Sequence, residues 1–330
     1  MKFLISKFVI ALLFVCAFTS AFAQDKEKRK ERNKDFTYEN DKDKNTATVA
    51  ATPNVAVIFC GGSGRIYVRG WEKNEVRAVS EEGSKVKLIA IKHNEDVSAP
   101  ASQITVQLTE GESGRFHFGR CENKSNIELY VPRGASVDLR TREGDISVEK
   151  IAKAKLRSMN GSFSIRNVNG SVQAEATSGD IALDDSSGSI TLNALSGSID
   201  VRNVKSIEPV DSMSAVSLSG DVTLENTNFL RVEGHSNSGD VMLFGKLIKG
   251  STYSLRSTSG DVTIIIPAAS SFRVEAYVLH GGEIICDFPI TKPTNNKPLK
   301  DTTKLVGTHG TGDSTLILIS VSGTIHLRKK

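Results

Sequence analysis

The chain has 330 residues, a formal net charge of +4, 27 glycines and only 6% aromatic residues. That length suits one long repeat domain or two ordinary ones. The near balance of 42 Lys+Arg against 38 Asp+Glu excludes the concentrated basic face that nucleic acid requires.

In chain order, the first element is a leader. Lys2 and Lys7 form a short positive region, residues 8–18 are apolar, and Ala21-Phe22-Ala23 is an A-x-A site. The apolar run is too short to cross a bilayer comfortably. Cleavage after Ala23 and export are therefore expected, to the periplasm, the cell surface or the medium; an uncleaved anchor is the alternative. Cys16 is poorly placed for lipidation because Val15 precedes it. Loss of Lys2 and Lys7 lowers the charge from +4 to +2. No later segment is long and apolar enough to make a transmembrane helix of the mature chain.

Residues 25–44, "DKEKRKERNKDFTYENDKDK", mix charges of both signs and offer almost nothing apolar to bury. Ordering them would cost entropy with no return. A disordered charged spacer is expected over 24–53, with a charged helix as the alternative. From residue 54 the character changes. "VAVIFC", "GRIYVRGW", "KVKLIAI", "QITVQL" and "NIELYVP" are β-branched and bounded by turn residues, so they predict strands. Residues 54–132 are expected to form an N-terminal β cap, with Trp71 in its core or, alternatively, used for binding. The best helical candidate, "VEKIAKAKL" at 148–156, reads equally well as a loop between strands.

Three cysteines follow the leader: Cys60, Cys121 and Cys286. An exported chain meets an oxidising compartment, which allows one bridge and leaves one thiol. Cys60 and Cys121, both in the cap region, are the preferred pair; three free thiols are the alternative. Cys286 alternates with Ile284 and Phe288 and is expected to act as a small buried hydrophobe.

A repeat governs residues 133–330. Glycine-led turns fall at Gly144, Gly161, Gly179, Gly197, Gly220, Gly239, Gly260 and Gly282, spaced by 17 to 23 residues. Gly170 and Gly188 split some units into nines, Gly323 lies about two units beyond Gly282, and Gly64 looks like an earlier member. A period near 20 predicts a stacked solenoid. After each glycine, apolar residues alternate: Ile181 and Leu183, Ile199 and Val201, Val222 and Leu224, Val241 and Leu243. A strand of about five residues and a turn of about four make half a coil, and two halves make a flattened coil of about 18. Glycine supplies the turn and the following residue (Asp180, Asp221, Asp240, Asp261, or Ser) caps it locally. "GTIHLRKK" ends in three cationic residues, suited to discouraging growth of a terminal strand edge.

Sharper functions fit less well. A calcium roll has the same nine-residue beat but needs G-G-x-G-x-D, which is missing here. Asp221, Asp240 and Asp261 on successive coils could share a cation; three solvated aspartates is the simpler reading. An enzyme on a β-helix would use carboxylates, or a carboxylate with Arg, on an outer face, and Asp184-Asp185, Glu143 with Asp145, Arg157 and Arg166 are candidates. Nothing in the sequence gathers the paired acids of glycoside cleavage. The six histidines are scattered, and His117 with Cys121 makes only half a zinc site. Outward polar ladders such as Thr191, Asn193, Asp200 and Arg202 suit a glycan or another surface protein.

"IELYVPRGASVDLRTREGDISVEKI", the repeats after it, and the opening segment "GSGRIYVRGWEKNEVRA" with Gly70-Trp71 resemble the bacterial β-strand-repeat family named "putative adhesin". The resemblance covers about residues 54–327. It implies an all-β solenoid in an exported or envelope protein and supplies no catalytic residue. The segment 288–306, "FPITKPTNNKPLKDTTKLV", departs from the pattern. The expectation is thus a single parallel β-solenoid in a non-enzymatic cell-envelope protein that binds or scaffolds, without cofactor or metal. The alternative is a carbohydrate-active enzyme on the same frame.

Overall fold

The computed structural model describes residues 36–38, 45–80, 84–92, 99–109, 121, 124, 126–291 and 303–330. Of the two compact units of the chain, Met1–Thr37 contributes to these only the start of the short strand Phe36–Tyr38, and Tyr38–Lys330 holds the rest. The expected leader and most of the expected spacer lie outside the described residues. The spacer expectation runs too far, because residues 46–53 begin the strand Thr46–Gly61. Ala47, Val49 and Ala51 are buried there in alternation. Two of the three are alanines, so the alternation is weak in the sequence.

The larger unit is built of strands, with no helix among the described residues. One face runs, neighbour to neighbour, through Lys85–Ile91, Ala101–Thr109, Thr46–Gly61, Ser136–Glu143, Lys153–Asn160, Asn169–Ser178, Ser187–Ser196, Met213–Ser219, Arg231–Ser236, Thr252–Ser257, Ser314–Ser320, Phe272–Val278 and Thr303–His309. The second face runs through Glu75–Ser80, Ile127–Pro132, Ile66–Trp71, Ile146–Glu149, Phe163–Arg166, Ile181–Asp184, Ile199–Lys205, Val222–Asn228, Val241–Phe244, Val262–Ile266, Ile325–Lys329 and Ile284–Cys286. Pairing is parallel through the stack and antiparallel only towards its ends. This is the expected β-solenoid. Its inward columns, including Ile181, Leu183, Ile199, Val201, Val222 and Leu224, are fully buried.

The halves of a coil are unequal. Asn169–Ser178 has 10 residues and its partner Ile181–Asp184 has 4. The nine-residue beat is therefore not half a symmetrical coil. Gly170 and Gly188 form their own column at the start of the long strands, in register with each other. The segment 148–156 is a strand end, a corner at Lys150 with φ of 58°, and the next strand.

Stack order departs from chain order at both ends. The coil containing Ile66–Trp71 lies between Ile127–Pro132 and Ile146–Glu149. The C-terminal coil, Ser314–Ser320 with Ile325–Lys329, lies between the coil of Thr252–Ser257 and that of Phe272–Val278. Arg328 and Lys329 therefore do not guard a terminal edge, as their position in the chain had suggested. Chain termini need not be stack termini when a late segment can pair on both sides.

The glycines record this order. A Cβ on any of Gly144, Gly161, Gly179, Gly197, Gly220, Gly239, Gly260, Gly323 or Gly282 would lie under 3.0 Å from a carbonyl oxygen of the glycine one coil away, starting from Gly64. Close approach, more than turn geometry, demands glycine here. Gly220 has no positive φ, yet a side chain would still strike Gly197. The residues after the glycines bond between coils rather than locally. Asp145, Asp180, Asp221, Asp240 and Asp261 each accept, through Oδ1, the backbone N–H of the equivalent residue one coil on, at 2.7–2.9 Å. Ser162 and Ser198 do the same through Oγ at 3.2 and 3.3 Å. Substituting Gly220→Ala is expected to cost roughly 2–3 kcal/mol, read from the midpoint of urea denaturation; an unchanged midpoint would mean that the coils tolerate a wider spacing.

Candidate functional site

The outward side chains of the two faces differ in kind. On the short-strand face, Arg69, Glu149, Arg166, Asp184, Arg202 and Glu225 stand opposite one another on successive strands. Charge alternates along this row. Arg69 meets Glu149 at 2.6 Å, Arg166 meets Asp184 at 3.6 Å, and Arg202 reaches Glu225 at 4.0 Å and also pairs with Asp200. Arg166 and Asp184, considered for catalysis from the sequence, are consecutive rungs of this ladder. Asp185 is exposed beside Asp184 but lies just past the strand and outside the ladder. It sits with Lys150, Asn167, Asn203 and Asn226 in a corner column with φ between 48° and 58°. Asn and Asp enter that left-handed region more readily than most residues. Asn226 Nδ2 donates to Asn203 Oδ1 at 3.0 Å, which extends the column into a side-chain ladder.

The other acids proposed from the sequence are also placed by the stack. Asp145 is a rung of the inter-coil ladder, and Glu143 is exposed at the end of its strand. Asp221, Asp240 and Asp261, considered for a shared cation, each have Oδ1 on the amide of the next coil. Among the described residues no three His, Cys, Asp or Glu side chains gather as a metal-binding group. His117 and His93 lie outside the described residues. Trp71 is half-buried; its Nε1 donates to the Glu75 carbonyl at 2.8 Å and its ring packs on Tyr130, with centroids 5.4 Å apart. Cys286 is half-buried against the core, and burial pushes its thiol up from the usual range.

The long-strand face carries a groove of about 550 Å³ that the sequence did not reveal. One wall is the outward column Arg140, Arg157, Glu175, Asn193, Val216 and His235, paired rung by rung. The opposite wall lies two residues further along each strand, at Met159, Thr177, Leu195, Leu218 and Asn237. Met159, Leu195 and Leu218 are 55%, 50% and 46% exposed, which is unusual for such side chains in one column. The floor is the buried or nearly buried column Thr141, Ser158, Ala176, Ala194 and Ser217. At about 4.8 Å per coil the groove runs for about 24 Å along the stack. Glu175 is its single carboxylate and is held by Arg157 at 3.0 Å. His235 titrates below the ordinary imidazole range, first because it is partly buried and then because Arg256 repels its charged form. The signal that could have found the groove is the period-matched apolar set Met159, Leu195 and Leu218 two residues before the ladder glycines.

The family model described as Toastrack DUF4097 matches residues 66–328. The chain belongs to this family. Two solved structures match over most of this chain. One is titled a putative adhesin from Bacteroides fragilis NCTC 9343, at 13% identity, covering 86% of this chain and 96% of that one, with a TM-score of 0.40. The other is titled a putative cell adhesion protein from Clostridium sporogenes ATCC 15579, at 9% identity, covering 86% and 99%, with a TM-score of 0.25. No curated protein matches.

The charge ladder makes a prediction of its own. Arg166→Glu places three acids in succession with Glu149 and Asp184 and is expected to cost roughly 0.5–1 kcal/mol at low salt, less at high salt. Adding Asp184→Arg restores that pair but sets a new arginine against Arg202, so the double variant should cost about as much as either single variant and much less than their sum. A double-mutant cycle by urea denaturation checks both, and additive effects would mean that the rungs do not interact.

Proposed function

We propose that this protein is a non-enzymatic, exported cell-envelope module that binds through the groove on its long-strand face, and that the occupant is an extended segment of another surface protein. The observation that carries this reading is the exposed apolar column Met159, Leu195 and Leu218 facing a wall that bears Arg140 and Arg157. An extended polypeptide can place alternate apolar side chains on that column and acidic ones against the arginines. The straight, shallow form of the groove suits a linear chain more than a compact molecule. A carbohydrate-active enzyme would need two carboxylates flanking a bond. The groove has one, already paired with Arg157.

Export by cleavage after Ala23 agrees with the cysteines. Cys60 and Cys121 have Cα atoms 5.0 Å apart, within the span of a disulfide. A bridge there would persist in an oxidising compartment. Peptide mapping of envelope-derived protein without reduction should yield a linked pair containing Cys60 and Cys121; recovery of both as alkylatable thiols would remove the bridge.

A photo-crosslinking residue at Leu195 should capture a polypeptide in intact cells, with the linked peptide mapping to one defined segment of an envelope protein. The same residue at Thr223, on the opposite face, should capture none of it. Equal labelling from both positions, or products that contain only glycan, would overturn the assignment of the groove.

A further inference from the structure

The opposite face carries a second cavity that neither the groove nor the charge ladder explains. Tyr67, Glu128 and Ser147 stand in one row across three neighbouring strands, Ile127–Pro132, Ile66–Trp71 and Ile146–Glu149. With Arg65, Asn126 and Asp145 they line a pocket of about 350 Å³ above the backbone of Ile66 and Ile127. That volume is near the lower end of the range for small-ligand sites, about 300–1,000 Å³. The next row is Tyr130, Arg69 and Glu149.

The two tyrosines cross between the rows. Tyr67 donates its hydroxyl to Glu149 Oε1 and Tyr130 donates to Glu128 Oε2, both at 2.9 Å. These bonds tie each ring to the neighbouring row, and Trp71 packs on Tyr130 to extend the aromatic shelf. The tyrosine hydroxyls are held protonated, Tyr67 chiefly by burial and Tyr130 chiefly by its bond to Glu128. The shelf therefore presents neutral ring faces with fixed edges. Beside it, Glu128 Oε2 is used by Tyr130 while Oε1 is directed to no partner among the described residues.

We propose that this pocket binds a neutral sugar, one or two rings at the end or within an oligosaccharide. Three features of the lining select that class. Arg65 faces Glu128 and Asp145 in the lining, Asp145 Oδ1 already accepts the Ser162 amide, and in the next row Arg69 and Glu149 neutralise each other, so the field offers no strong hold on a charged ligand. Acceptors and donors alternate at close quarters, which suits hydroxyl groups that both donate and accept. Flat aromatic faces lie next to the polar groups, and rings with one apolar face and a polar rim meet both. Glu128 would accept from a hydroxyl through Oε1, and the pyranose face would lie on Tyr67 or Tyr130. The site is on the opposite face from the groove and does not depend on it.

The test uses the full-length chain with cellotetraose, maltotetraose and chitotetraose, by saturation-transfer NMR and isothermal titration. At least one should bind, and Glu128→Ala, which removes the acceptor, and Tyr67→Leu, which removes the ring face, should each weaken it about tenfold or more. Both variants should keep the parent melting temperature, so that lost binding is not lost folding. Leu195→Asp should leave sugar affinity unchanged while it disrupts the groove, so the two sites fail separately. Failure of all three tetrasaccharides to bind, or binding insensitive to both variants, would overturn the proposal. Release of reducing sugar from the bound chain would overturn it in another way, by making the pocket an active site.

Discussion

The structure depends on how closely one coil can lie against the next at its tightest corner. There the backbone of each coil passes so near the last that the carbonyl of one ladder glycine occupies the space a side chain would need on its neighbour. Parallel strands must sit about 4.8 Å apart to bond. Only glycine lets the corner keep that spacing. The same corner places an Asp or Ser side chain over the amide of the next coil, so a backbone donor at the strand end is satisfied without water. Serines at 217, 236, 257 and 320 complete the corner by donating to the carbonyls of the ladder glycines. Coil spacing, corner shape and polar satisfaction are one constraint seen from three atoms.

Insertion at both ends follows from the same spacing. A coil that offers two bonded edges can accept a neighbour from anywhere in the chain. Residues 56–71 and 314–329 take interior places, and antiparallel strands such as Lys85–Ile91 and Thr303–His309 lie beyond them towards the ends of the long-strand face. An antiparallel strand ends the parallel pattern that another coil would need. The ends are thus managed by topology rather than by the terminal cationic residues.

With the interior and corners committed to stacking, variation is left to the outward columns. On the short-strand face the column from Arg69 to Glu225 alternates sign and is consumed by its own pairs. On the long-strand face Arg140 pairs with Asp138 and Arg157 with Glu175, but the outward columns also include exposed Met159, Leu195 and Leu218. The N-terminal part of the short-strand face departs again, replacing the ladder with tyrosines and a tryptophan over a polar pocket. The surface therefore carries its information where the ladder is broken.

The sequence by itself determined the solenoid, because period and alternation are local facts. Ile181, Leu183, Ile199 and Val201 point inward for the same reason in any stack of such strands. It also marked the residues on which the stack turns, Gly144 to Gly260 and the aspartates after them. It could not say why they were needed, since the reason is a carbonyl on the neighbouring coil, 17 to 23 residues back for Gly161 to Gly260 and on Gly64 for Gly144, rather than a dihedral angle. Asp184 and Arg166 looked like free functional groups for the same cause: their partners are neighbours only across coils. Stack order, the groove and the Tyr67–Glu128 pocket were decided by tertiary structure alone. Each depends on which coil lies beside which, and at both ends that order is not the order of the chain.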